Sequence, residues 1–115
     1  MIVEDDSHTV TLFQRILTRG RYQTLTAATV REAQALLRSE RPAAILLDLG
    51  LPGASGLELL QTLRQDPQLQ PIKVIIVSAY SELMHQARQI GADAYLLKPI
   101  NAGELLQTLE NALSG

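Results

Sequence analysis

The sequence predicts an α/β fold in which five parallel strands form one open sheet with helices on both faces. Two observations carry this. Short apolar runs alternate with stretches of helical periodicity along the whole chain, the pattern of repeated βαβ units, whose right-handed crossovers put helices on either side of a doubly wound parallel sheet. The run at residues 43–47 is apolar throughout, as a strand covered on both faces must be.

Residues 1–3 read as the end of a buried strand that stops at Glu4. Val10, Phe13, Ile16 and Leu17 then recur at helical spacing after Ser7, a candidate N-cap, and Gly20 stands where a helix ends at C′. Residues 22–26 alternate in character and predict the second strand. Thr29 and Glu32 form a capping box for a helix faced by Val30, Ala33, Leu36 and Leu37. Pro42 closes the connection to the third strand, which ends on Asp48.

Pro52, Gly53 and Gly56 make residues 49–56 a loop, and Ser55 can cap a third helix carrying Leu57, Leu59, Leu60 and Leu63. Asp66, Pro67 and Pro71 mark a turn before the fourth strand, residues 73–77. Ser81–Ile90 reads as a helix with Leu83, Ala87 and Ile90 on one face and Gly91 as its stop, and Ala94–Leu97 as the fifth strand. Asn101 and Glu104 open a last helix faced by Leu105, Leu106, Leu109, Ala112 and Leu113.

The composition is that of one domain, residues 1–115, with 46% hydrophobic and 19% charged residues and no cysteine. Disulfide scaffolds and cysteine-based metal sites are excluded. A chain of this length buries roughly two-thirds of the surface it exposes when unfolded, so its core needs no such staple. No apolar run approaches the ~18 residues of a membrane span, and the expected place of action is the cytoplasm. A net charge of −2 gives no general attraction to nucleic acid or anionic lipid. Because Met1 lies three residues before the first acid and Gly115 just past the last helix, the expectation is a domain cut from, or shorter than, a longer chain.

In open parallel sheets, ligands bind beyond the carboxyl ends of the strands. Here the first strand ends in Glu4, Asp5 and Asp6, the third in Asp48, the fourth in Ser78 and the fifth in Lys98 and Pro99. Singly, each is an ordinary turn residue. Together they converge on one edge. Carboxylates gathered there repel one another unless a cation neutralises them, and an all-oxygen set with room for phosphate suits Mg²⁺ better than Ca²⁺. With Lys98 as a positive point charge opposite, the edge is a site for a phosphoryl group: Asp48 can act as nucleophile and Ser78 can hydrogen-bond a phosphoryl oxygen.

At these residues the chain resembles the receiver domain of bacterial two-component response regulators over essentially its whole length. The carrying features are Val3 with Glu4, Asp5 and Asp6; the segment 48–56; Ser78 with Ala79; and Tyr95 through Pro99. Each is weak alone, but their order at strand ends is specific. The resemblance implies a flavodoxin-like sheet of order 2-1-3-4-5 and transfer of a phosphoryl group to Asp48 from a histidine kinase or histidine phosphotransfer protein. It further implies that Glu4, Asp5, Asp48 and the Gly50 backbone carbonyl hold Mg²⁺, and that Lys98 pairs with the aspartyl phosphate. Asp6 matches a position that is often acidic but less essential, and Pro99 follows a cis peptide bond.

The same resemblance implies a switch in which Ser78 moves toward the phosphoryl group and Tyr95 rotates inward. This would reshape the face of the fourth helix, fifth strand and fifth helix for an effector or a covalently linked output domain. It assigns Gly50 and Tyr80 to tuning the lifetime of the phosphorylated state, a bulky Tyr80 shielding the acyl phosphate. Ile100 stands where the family usually has Phe, an apolar exchange. The last helix has no basic residue, against the basic fifth helix of receivers that dimerise through this face. Met84 and Ala87 with Tyr95 could form a partner surface, although core packing explains Ala87 as well.

His8 and His85 have no second ligand at metal spacing and read as surface residues, and Arg15, Arg19 and Arg21 as a solvated basic group at a helix end. Three other readings compete with a phosphoacceptor module. An aspartyl-phosphate phosphatase would need a second Asp at the Gly50 position. A flavin-binding module would be repelled by Glu4, Asp5 and Asp6. A degenerate receiver used for docking alone would not need the full set of Mg²⁺ pair, acceptor, hydroxyl and lysine.

Overall fold

The elements in chain order are β1 (Ile2–Val3), α1 (Ser7–Arg19), β2 (Thr26–Ala27), α2 (Val30–Leu36) and β3 (Ala44–Asp48), followed by α3 (Gly56–Gln65), β4 (Lys73–Ser78), α4 (Ser81–Ile90), β5 (Ala94–Leu97) and α5 (Ala102–Ser114). The computed structural model describes residues 1–50, 56–79 and 81–114. The predicted loop at 51–55, with Pro52, Gly53 and the Ser55 cap, and Tyr80 lie outside the described residues. All strand pairs are parallel, in order β2-β1-β3-β4-β5. Strand order reverses between β1 and β3, which is where such sheets open a crevice.

The continuous apolar runs follow from burial on both faces. Ile45 and Leu47 of β3 and Val74 and Ile76 of β4 pack toward α2, α3 and α4, against Ala33, Leu59, Leu63 and Ala87. Leu46, Ile75 and Val77 point the other way, toward Phe13, Ile16 and Leu17 of α1 and Leu105 and Leu109 of α5. Successive strand residues point to opposite faces, so neither face tolerates a polar residue until the strand ends.

Half of the capping box of α2 forms as read and half is shifted by one residue: the Thr29 hydroxyl accepts the Glu32 N–H at 3.1 Å, while the Glu32 carboxylate accepts the N–H of Ala28, just before the N-cap, at 2.6 Å. Asn101 likewise accepts the Glu104 N–H at 3.1 Å ahead of α5. At α1 the cap is Asp6 rather than Ser7: Asp6 is extended, and its carboxylate accepts the Thr9 N–H at 3.0 Å. Met84 and Ala87 are buried in the core, which removes them as a partner surface.

The end of α1 also differs from expectation. Arg21, not Gly20, takes the left-handed conformation, with φ of 67°. The Tyr22 N–H bonds the Leu17 carbonyl at 2.9 Å and the Arg21 N–H the Thr18 carbonyl at 3.0 Å, the two bonds of a Schellman motif with Arg21 at C′. Gly20 is the C-cap at φ −79°, a conformation open to any residue. Its value is space: a Cβ there would lie 2.7 Å from Leu106 Cδ2 and 3.1 Å from the Tyr22 ring. Because residues 21 and 22 complete the cap, β2 begins at Thr26 and not at 22 as predicted.

Arg21 is exposed, and a non-glycine residue pays a steric penalty in the left-handed region. Arg21→Gly is expected to raise unfolding stability by about 0.5–1 kcal/mol. Urea denaturation checks this, and an unchanged or lower midpoint would contradict it.

Candidate functional site

The register builds the site. Val3 lies opposite Leu47, so the next residues along the two strands, Glu4 and Asp48, stand side by side where the sheet ends. Glu4 is 2% exposed and Asp48 8%, whereas Asp5, on the outer turn into α1, is exposed. Each of the three offers a carboxylate oxygen, and these oxygens lie within 4.8 Å of one another.

Lys98, just past β5, closes the cluster from the opposite side. Its Nζ donates to Glu4 Oε1 at 2.7 Å and to Asp48 Oδ2 at 3.4 Å. Glu4 Oε2 accepts the Asp6 N–H at 3.2 Å, and Asp48 Oδ1 accepts the Gly50 N–H at 3.0 Å. Both buried carboxylates are therefore held at each oxygen. Ser78, the last residue of β4, is fully buried, and its carbonyl accepts the Lys98 N–H at 2.9 Å. The Lys98–Pro99 peptide bond is cis.

Three carboxylates against the single Lys98 ammonium leave two negative charges unbalanced among the described residues. The donor set is all oxygen and mixes buried with exposed groups, which fits a hard divalent cation that keeps some of its waters. The chemistry open to this arrangement is reception of a phosphoryl group: a carboxylate with its plane fixed, an ammonium alongside, and an oxygen donor set for a divalent ion.

The structure thus brings Glu4, Asp5, Asp48, Gly50 and Lys98 together, with Ser78 adjoining in the backbone. Tyr95 is elsewhere. Its hydroxyl accepts the Ala92 N–H at 3.2 Å, before the start of β5 and so toward the sheet edge opposite the carboxylates. Asp6 is spent on capping α1 and is not among the clustered carboxylates. His8 and His85 are exposed.

Two features escaped the sequence reading. The Gly50 amide fixes Asp48, a backbone role that no residue type announces. Gly56 packs so closely that an added Cβ would lie 2.8 Å from the Asp48 carbonyl oxygen and 3.1 Å from Leu49 Cα; its place eight residues after Asp48 was a signal for the motif but not for this contact.

Comparison with known proteins gives a consistent result. The family model described as Response regulator receiver domain matches residues 1–110. The polar-differentiation response regulator DivK of Brucella anthropi is 36% identical over 115 residues, covering 98% of this chain and 94% of that protein. The signal receiver domain of a signal transduction histidine kinase from Syntrophus aciditrophicus is 31% identical with a TM-score of 0.93, over 99% of this chain and 88% of that one. The receiver domain of sensor histidine kinase PA1611 from Pseudomonas aeruginosa PAO1, which has a magnesium ion coordinated in its active site cleft, shares the fold at 24% identity and a TM-score of 0.90, over 99% of this chain and 95% of that one.

The electrostatics of the cluster set its pH response. Burial raises the pKa of Glu4, and the Lys98 hydrogen bond and Asp6 N–H only partly offset it. The folded state therefore keeps the Glu4 proton to higher pH than the unfolded chain, and ionising Glu4 costs stability as pH rises above its ordinary 4.5. For Lys98, burial alone would lower the pKa, but the Glu4 hydrogen bond and the charges of Asp48 and Glu4 outweigh it and the net shift is upward. Its stabilisation is fully present below the ordinary 10.5 and is lost as pH rises through the raised value.

Lys98→Met leaves Glu4 buried without a counter-charge. Breaking a buried pair costs about 3–5 kcal/mol, and with the Lys98 side chain 25% exposed the expected loss at pH 7 is about 2 kcal/mol. The loss is expected to shrink on acidification as Glu4 protonates. Urea unfolding at pH 7 and pH 5 in chelator checks this, and an equal loss at both would mean that only packing was removed.

Proposed function

This chain belongs to the response regulator receiver domain family of two-component signalling, and from that premise we propose that Asp48 accepts a phosphoryl group from a phosphohistidine on a sensor histidine kinase or a histidine phosphotransfer protein. The observation that carries the reading is the Asp48 carboxylate, fixed between the Lys98 ammonium and the Gly50 amide beside Glu4 and Asp5.

In the transfer, an Asp48 carboxylate oxygen attacks phosphorus as the phosphorus–nitrogen bond of the donor breaks. The electron pair of that bond returns to the imidazole nitrogen, and Asp48 becomes an acyl phosphate. Lys98 balances the added charge, and the Ser78 hydroxyl donates to a phosphoryl oxygen. Glu4, Asp5, Asp48 and the Gly50 carbonyl would hold Mg²⁺, which when bound neutralises phosphoryl oxygens and aligns them with the nucleophile. Hydrolysis reverses the state when water attacks the same phosphorus, and the residue types at positions 50 and 80 tune its rate.

The domain so read transforms no external metabolite and catalyses only its own phosphorylation and dephosphorylation. Its output is the α4, β5 and α5 face, where Ser78 and Tyr95 change position and an effector protein or a covalently linked output domain reads the change. A histidine-kinase donor makes the cytoplasm its place of action. Among the described residues no helix is long and apolar enough to cross a membrane.

Intact-protein mass after incubation with Mg²⁺ and phosphoramidate, a small donor with a phosphorus–nitrogen bond, tests the reading. Wild type is expected to gain one acid-stable, base-labile phosphoryl group, and Asp48→Asn none. Replacing Mg²⁺ with chelator is expected to abolish the gain. An equal gain in Asp48→Asn would overturn Asp48 as acceptor, and failure of wild type with both this donor and a phosphohistidine protein would favour a phosphorylation-independent docking module.

A further inference from the structure

We infer that the C-terminal end of α4 latches Tyr95 in its present seat and so sets the resting position of the switch, an inference that rests on the reading of Asp48 as acceptor and Tyr95 as the moving group. Two contacts make the latch. The Tyr95 hydroxyl accepts the Ala92 N–H at 3.2 Å, and the Arg88 guanidinium carbon lies 5.1 Å from the Tyr95 ring centroid. One contact comes from the corner between α4 and β5 and the other from the last turn of α4.

The corner is rigid because Arg64, in the last turn of α3, grips it. Its Nε donates to the Gly91 carbonyl at 2.7 Å and its Nη2 to Asp93 Oδ2 at 2.7 Å. Nη1 donates to the carbonyls of Gln70 at 3.2 Å and Ile72 at 3.1 Å. Asp93 Oδ2 also accepts the Val74 N–H at 2.8 Å, tying the corner to β4. Gly91, at φ 106°, makes the turn that such a tight corner requires. One planar fork thus joins α3, the turn into β4 and the turn into β5, a geometry that an ammonium does not reproduce.

A seat held this firmly does not follow its occupant. If Tyr95 turns inward, both contacts break, and contacts made in one state alone bias the equilibrium against the other. A cation–π contact at an exposed position such as Arg88 is worth about twofold to fivefold in that equilibrium. Arg64 is a positioning residue here: it acts on Tyr95 through the placement of Ala92.

The test titrates beryllofluoride, standing in for the phosphoryl group, into the whole chain with Mg²⁺ while the Tyr95 ring resonance is followed by NMR. In Arg88→Met the half-saturating concentration is expected to fall about twofold to fivefold. The resonance is also expected to start partway toward its saturated position. In Arg64→Lys the Ala92 amide is expected to exchange with solvent faster and the midpoint to fall as well. If the resonance moves normally in Arg88→Met with a wild-type midpoint, the latch is overturned and the Asp48 reading stands. If wild type does not titrate, or Asp48→Asn titrates identically, the Asp48 reading fails and takes the latch with it.

Discussion

The Lys98 ammonium between Glu4 and Asp48 is the interaction on which the site depends. Glu4 is almost wholly out of water, and Asp48 nearly so. Without a cation between them, two adjacent carboxylates at the end of a hydrophobic sheet would share protons or push the strands apart. With Lys98 in place, the two oxygens of Asp48 are held by an ammonium and an amide. The arrangement is polarised but not balanced, and that imbalance is what suits it to a divalent ion.

The sheet supplies the rest of the constraint. β1, β3 and β4 are apolar on both faces, so their first polar residues fall where the strands leave the core. Parallel pairing aligns those ends along one edge. Glu4 and Asp48 are neighbours because Val3 and Leu47 are paired, and a register slip of one residue would reverse which face each side chain meets. Gly56 keeps α3 against the backbone of Asp48 and Leu49. Asp48 is therefore positioned by strand pairing and helix packing as much as by its polar partners.

Most of this was legible in the sequence, and for physical reasons. Doubly buried strands read as unbroken apolar runs, and the capping box of Thr29 and Glu32 is local chemistry that tertiary contacts do not overrule. The carboxylates, Ser78 and Lys98 were conspicuous as polar residues at the ends of apolar strands. What escaped was decided by backbone or by distant contact. Gly20 looked like a left-handed stop, but the residue that turns is Arg21, because the Schellman bonds fall one position later. Asp6 looked like a candidate for the acidic site, but its carboxylate serves α1 and only its backbone N–H reaches Glu4. Arg64 gave no signal at all, since its partners lie on two separate turns, 70–72 and 91–93.

The partner that closes the carboxylate cluster comes late in the chain: Lys98 is 94 residues beyond Glu4 and 50 beyond Asp48. During synthesis from the amino terminus, both carboxylates leave the ribosome well before the cation that balances them exists. A nascent domain that has formed β1, β3 and β4 carries an acidic edge without its ammonium. The edge is thus neutralised only when the last strand docks, so a chain that stops before Lys98 keeps both carboxylates and lacks the ammonium that holds them.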